Sequence, residues 1–254
     1  MVVLNRNLVY IIAIDDVTSQ IKCSEYAEYG INSWMGWANK NDVDVMVVRS
    51  GDNRILKSKW NKYLIFDNID NRYEKIAMVD ADTMIKWDAP NIFDLYDDEF
   101  CGVIDNDNMW WVNNSINAYN KFFKGIDLDY YKYINSGMIL FHRKHKSFID
   151  KVFQFYMDNK NVLDNWDVPH SGTDQTVLNY MLRKHNIKIK YINPTWNLTA
   201  IHRKEMFSYN WQLEEDKTPF FMKYAYVWHF TGFPIENRID IMKRLWENIG
   251  GEYE

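Results

Sequence analysis

The chain has 254 residues, with 30 Lys and Arg against 35 Asp and Glu, a formal net charge of −5 and a hydrophobic share of 47%. Only 10 Gly and 5 Pro exclude a collagenous, low-complexity or disordered chain, and a pI of about 5.7 argues against the basic face that nucleic-acid or anionic-membrane binding requires. Two cysteines, Cys23 and Cys101, make neither a disulfide framework nor a zinc cluster, so a cytoplasmic α/β protein is expected.

The longest apolar run, Leu8–Ile14, reads as a buried strand closed by Asp15-Asp16. It is far short of the ~20 residues that span a bilayer. No small-residue cleavage site follows it, so neither a membrane helix nor a signal peptide is expected. Residues 18–40 read as helical, and Val43–Val48 as a second strand. Lys57–Asn68 follows as a helix with Trp60, Leu64 and Ile65 on one side. Lys75–Val79 is a third strand, running straight into Asp80-Ala81-Asp82. Pro90 suits the start of a short helical turn over Ile92–Tyr96. Phe100–Ile104 is a fourth strand, ended by Asp105-Asn106-Asp107-Asn108.

In the second half, Ile134–Phe141 reads as a strand interrupted at Asn135-Ser136-Gly137. Lys146–Asp158 and Thr173–Leu182 carry apolar residues at helical spacing. Lys188–Ile192 and Tyr226–Phe230 are further strands, before a helix striped by Ile235, Ile239, Met242, Leu245, Trp246 and Ile249. This alternation predicts an α/β fold: a mostly parallel twisted sheet flanked by helices. No linker divides the chain, so one domain is expected. Ligands of such sheets sit at the carboxyl ends of strands, which points to Asp15, Asp80–Asp82, Asp105–Asn108 and His229.

Asp80-Ala81-Asp82 carries the sharpest chemistry. Two carboxylates at i and i+2, set between apolar runs, can share a divalent cation that in turn chelates a diphosphate. Burying two like charges is costly unless a cation neutralises them. Aromatic residues make up 17% of the chain. They serve a bulky core or stack on the apolar faces of sugar rings. Trp110, Trp111, Tyr119, Tyr130 and Tyr131 are equally suited to core packing and to an acceptor platform.

The stretch 59–95, KWNKYLIFDNIDNRYEKIAMVDADTMIKWDAPNIFDL, resembles the donor-binding half of nucleotide-sugar glycosyltransferases with the Rossmann-like GT-A fold, family 8 in particular. YINSGMILF (133–141), TDQTVLN (173–179), NPTWN (193–197) and VWHFTG (227–232) match further family segments in order, and the resemblance spans roughly 8–235. It implies that residues 1–105 bind a nucleotide sugar, UDP-linked, and that 106–254 shape the side facing a glycan, lipid-linked or other hydroxyl acceptor. Asp80, Asp82 and His229 would ligate Mn²⁺ or Mg²⁺. Lys62, 18 residues before Asp80, would contact the donor's phosphate or sugar, with Lys59 as its rival. Asp15 would receive the base or ribose, with Tyr26 a second candidate for stacking on the base. Ala81, Ser136, Gly137 and Gly232 would complete the donor site. Asn135, Asp174 and Gln175 would line the transferred sugar, and His170 is an acceptor-side candidate. The resemblance also implies transfer with retention.

One departure stands out. The family follows its late His-x-x-Gly with a phosphate-binding lysine, whereas Gly232 here is followed by Phe233-Pro234-Ile235. Arg238, one turn further on, is the candidate substitute. Two other readings remain: a non-catalytic sugar-binding module on the same fold, and a phosphohydrolase of the haloacid dehalogenase type. The latter wants Asp-x-Asp-Gly-Thr, and Asp82 is followed by Thr83-Met84. Asn113 and Asn197 begin Asn-x-Ser/Thr triplets that read as chance matches. A homodimer is left open.

Overall fold

A computed structural model describes residues 6–16, 22–166, 171–203 and 218–253. Its strands are β1 (Asn7–Ile12), β2 (Asp44–Val48), β3 (Lys75–Asp80), β4 (Thr83–Ile85), β5 (Phe100–Ile104), β6 (Ile134–His142), β7 (Ile189–Tyr191) and β8 (Val227–His229). Among the described residues the main sheet has the order β2-β1-β3-β6-β5-β7, and β4 pairs with β8 in a separate two-stranded sheet. All main-sheet strands run one way except β6, which is antiparallel to both β3 and β5. The reversal matters for the site. It brings the first residues of β6 to the edge where the other strands end.

Side chains on neighbouring strands alternate between two apolar layers, as a pleated sheet requires. Leu8, Tyr10, Ile76, Met78, Ile139 and Phe141 face one layer. This layer is filled from α2 (Ile65–Asn68), α3 (Met109–Tyr119), α4 (Lys146–Asp164) and α5 (Asp174–Lys184). Val9, Ile11, Ala77, Val79, Met138 and Leu140 face the other, against α1 (Ala27–Lys40). A third cluster joins Met84 and Trp228 of the small sheet to Phe221 of α6 (Phe220–Tyr224) and to Met242, Leu245 and Ile249 of α7 (Ile235–Ile249). The aromatic excess goes largely into these layers: Trp34, Trp37, Trp60, Trp228, Tyr10 and Tyr63 are among the largest fully buried side chains.

Several expectations shift. β1 ends at Ile12, not Ile14. The first helix starts at Ala27 after a 3-10 turn over Cys23–Glu25, because Asp15 accepts from Ser24 N and Glu25 from Lys22 N; positions 17–21 lie outside the described residues. Lys57–Asn68 is mostly 3-10 helix (Ser58–Leu64) leading into α2. β6 continues as one strand through Asn135-Ser136-Gly137, but its ladder is interrupted there as expected. Between the pairs Gly102↔Ile139 and Ile104↔Ile134 β6 bulges out of register with β5, and its pairing with β3 stops at Met138. Neither α3 nor β4 was expected. Among the described residues no helix is long and apolar enough to cross a membrane.

Candidate functional site

Helix α1 sets the position of the Asp-x-Asp turn. Gly30 faces it so closely that a Cβ there would lie 2.5 Å from the Ala81 carbonyl oxygen and 2.6 Å from that of Thr83. Trp34 Nε1 donates to Thr83 Oγ1 at 2.9 Å. Thr83 pairs with His229 across β4 and β8, and Phe230 N donates to the Asp82 carbonyl. This pairing carries His229, remote in sequence, to the two aspartates. Ligand atoms of Asp80, Asp82 and His229 lie within 4.8 Å of one another, a group that could hold a metal ion.

Cations surround these carboxylates. Lys62 Nζ, with only 3% of its side chain exposed, lies 2.9 Å from Asp80 Oδ1 and 3.2 Å from Asp174 Oδ2. Burial opposes the Lys62 charge, but Asp174 and Asp80 outweigh it and raise its pKa above the ordinary lysine value. Burial likewise opposes ionisation of Asp174, and Lys62 and then Lys59 hold its carboxyl below the usual range. Asp82 lies 3.0 Å from Arg238 Nη1 and 3.3 Å from His229 Nε2. Its burial is overcome by Arg238 and His229, which hold it well below the ordinary carboxylate value. A cavity of about 280 Å³ opens on Lys59, Lys62, Asp80, Ala81, Asp82, Asp174 and Arg238.

Behind this cluster lies a chain of amides. Gln175 Nε2 and Asn135 Nδ2 both donate to Asp105 Oδ2, at 2.8 and 3.1 Å. Backbone N–H groups of β6 orient the two amides: Ser136 N donates to Gln175 Oε1 and Gly137 N to Asn135 Oδ1. Burial raises the Asp105 pKa, and the Asn135 and Gln175 donors offset part of that rise. Asn197 Nδ2 donates to Asn135 Oδ1 at 3.0 Å, so Asn197 Oδ1 faces His229 Nδ1, also at 3.0 Å. Asn197 Oδ1 can only accept, so Nδ1 is the nitrogen that donates to it, and Nε2, 3.3 Å from Asp82, is the nitrogen left to ligate a metal ion. The donor set fits a divalent cation.

The expected residues divide by place. Asp80, Ala81, Asp82, His229, Lys62 and Asp174 come together; so do Asn135, Ser136, Gly137 and Gln175, one layer behind. A Cβ on Gly137 would lie 2.0 Å from His229 Cε1, so its small size makes room for the imidazole. Asp15 stands on a neighbouring cavity of about 430 Å³, its carboxylate accepting from Ser24 N at 3.0 Å. Gly232 adopts φ +77° in the turn after β8, facing His202, and does not line the cavity of the aspartates. Tyr26 lies with its ring 5.3 Å from the Arg238 guanidinium carbon. Among the platform aromatics Tyr119 is core, while Trp110 and Tyr131 are 61% and 69% exposed. His170 lies outside the described residues. Asn197 and Asp105 had no role assigned from sequence; only the strand-end position of Asp105 hinted at one.

No protein-family model matches the chain, and no curated protein sequence does. Solved structures do. A glycosyltransferase involved in glycosylation of the major capsid of PBCV-1 superposes with TM-score 0.58 at 13% identity, over 93% of this chain and 98% of that one. The bifunctional glycosyltransferase WbbM gives TM-score 0.58 at 16% identity over 92% of this chain, which spans only 47% of WbbM. The galactosyltransferase LgtC, solved with donor and acceptor sugar analogues, gives TM-score 0.50 at 14% identity, over 96% and 99% of the two chains. The sheet, its reversed strand and the helices around it make this the GT-A glycosyltransferase fold.

Proposed function

We propose that the protein is a metal-dependent glycosyltransferase, moving a sugar from a nucleoside diphosphate sugar to an acceptor hydroxyl of a glycan, a lipid-linked sugar or a similar molecule. The observation that carries this reading is the Asp80, Asp82 and His229 group at the ligand edge of a GT-A sheet, beside a cavity lined by three cations. The UDP preference rests on the sequence resemblance. Mn²⁺ suits the site better than Mg²⁺, because an imidazole joins the two carboxylates. Bound there, the ion would supply a Lewis acid that offsets charge growing on the departing diphosphate.

The chain's own groups do the rest. Lys62 is held charged by Asp174 and Asp80, and with Lys59 and Arg238 adds fixed positive charge where the diphosphate departs. Asp15, Ala81, Ser136, Gly137 and Gly232 complete the donor side in this reading, and Asn135, Asp174 and Gln175 face the transferred sugar. Transfer retains the anomeric configuration. Asp174, ion-paired and with a lowered pKa, is a weak base, and Asn135 and Gln175 are amides. The incoming hydroxyl then loses its proton to the departing diphosphate oxygen on the same face. One domain, with 1–105 holding the nucleotide and 106–254 shaping the acceptor side, fits the shared sheet. The free thiols of Cys23 and Cys101 fit a cytoplasmic setting.

Incubation with Mn²⁺ and a panel of nucleotide sugars tests the proposal. Released nucleoside diphosphate, with a product of retained configuration by NMR, supports it. Inorganic phosphate from a monoester would instead mark a phosphohydrolase, and binding without turnover a sugar-binding module.

A further inference from the structure

Arg238 sits in the first turn of α7, its backbone N–H donating to the Pro234 carbonyl at 3.0 Å. Its side chain is 14% exposed and reaches Asp82 Oδ2 through Nη1, at 3.0 Å. A guanidinium facing a carboxylate gains most from two parallel N–H···O bonds. Here one donor of the guanidinium is unused: Nε is buried and has no hydrogen-bond partner. The ring of Tyr26, 5.3 Å from the guanidinium carbon, gives the charge a second favourable surface that does not depend on Asp82. The other Asp82 oxygen already faces His229 Nε2. A divalent cation held by Asp80, Asp82 and His229 would draw on the same carboxylate as Arg238 and repel it. A buried guanidinium displaced from Asp82 needs another anion, and the cavity it lines is where a diphosphate would lie.

We propose that Arg238 is an exchangeable counter-ion: it neutralises Asp82 in the metal-free protein, yields that carboxylate to a divalent cation, and then clamps the donor's diphosphate with its fork. For the diphosphate this rests on the glycosyltransferase reading; for the exchange at Asp82 it rests on geometry alone. A fixed structural arginine would stabilise Asp82 in every state and would not compete with the ion.

Calorimetric titration of the full chain separates the two. With MnCl₂ alone, Arg238→Gln binds Mn²⁺ several-fold more tightly than the wild type, because the competing charge is gone. With UDP at saturating Mn²⁺, the same variant binds about 10–100-fold more weakly, the scale of one charge-assisted fork. Arg238→Lys keeps the charge but loses the fork, so its Mn²⁺ affinity stays as in the wild type while its UDP affinity falls. This second variant carries the test if Arg238→Gln does not fold. Unchanged or weaker Mn²⁺ binding by Arg238→Gln overturns the exchange, as does unaltered UDP affinity in both variants. A wild type that binds Mn²⁺ but no nucleoside diphosphate sinks the glycosyltransferase reading, and the Mn²⁺ titrations still decide whether Arg238 competes for Asp82. No Mn²⁺ binding by either protein overturns the proposal.

Discussion

Around Asp80 and Asp82, buried charges are matched by other charges: Lys62 between Asp80 and Asp174, and Arg238 and His229 on Asp82. Around Asp105, by contrast, a single carboxylate is met by the amides of Asn135 and Gln175. The first arrangement is strong only while every partner is present and charged, which leaves it open to competing ions and to pH. The second holds its shape through backbone N–H groups of β6 and hardly depends on what is bound. On the proposed function, a site that receives a doubly charged ion and releases a diphosphate would benefit from having both: one part to change partners and the other to keep the geometry.

Removing one charge should break the contrast most severely. Lys62→Met leaves Asp174 buried without its main counter-ion, and should cost about 3–5 kcal/mol at neutral pH in urea denaturation. The loss should shrink below pH ~4, where Asp174 can take a proton and no longer needs the lysine. A variant as stable as the wild type at pH 7 would mean that the triad is not what holds these groups.

On the amide side the expected effect is smaller. Gln175→Leu leaves Ser136 N–H without an acceptor and Asp105 with one donor fewer, and about 1–3 kcal/mol should be lost. Asn197→Leu joins the two sides. It removes the acceptor that keeps the His229 proton on Nδ1, so Mn²⁺ affinity should fall about 10–100-fold while the far-ultraviolet circular dichroism stays native. Equal Mn²⁺ affinity would show that the imidazole needs no such orientation.

The smallest effect is one of sign. Carboxyl NMR should find Asp105 titrating above the ordinary 3.8 and Asp174 below it. As pH falls, Asp105 binds its proton first, and between its raised folded value and 3.8 this favours the folded state. Below that window the lowered Asp174 and Asp82 take over. Their contribution, present above the unfolded value, is lost as pH falls through their folded values. The reverse order would contradict the contrast between the two clusters.

The strands and most helices were legible because each buries a regular apolar face, and Asp80-Ala81-Asp82 because it follows such a strand directly. What escaped depends on distant partners. α3 was missed because MWWVNNSINAY is rich in asparagine, a weak helix former; it is held by the Asn108 cap on Trp111 N and by burial of Val112, Ser115 and Tyr119. The break at Asn135-Ser136-Gly137 was legible because its polar side chains are unusual inside a sheet, and the β5–β6 register does slip there. That Asp105, Gln175 and Asn197 satisfy the buried polar groups was not. Asn197 looked like one residue of a turn, and nothing nearby in sequence indicates that it meets both His229 and Asn135. Pairing of His229 with Asp82 was readable only through the family resemblance, since the β4–β8 ladder that creates it is three residues long.

That short ladder has a consequence for how the molecule opens. Over Ile139–Leu140 β6 is paired on both sides, so these amides should exchange with deuterium only when the whole protein unfolds. β8 has three paired residues; its Trp228 lies with α7 in the third apolar cluster and its Val227 in the layer against α1, so this unit is expected to open ahead of the main sheet. An ion shared by Asp80 at the end of β3 and His229 at the end of β8 would staple that unit to the main sheet, closing a very long loop of chain at one point. Deuterium uptake in β8 and α7 should therefore slow on adding Mn²⁺ while β6 is unchanged, and bound metal becomes a setting for how firmly the last part of the chain is latched.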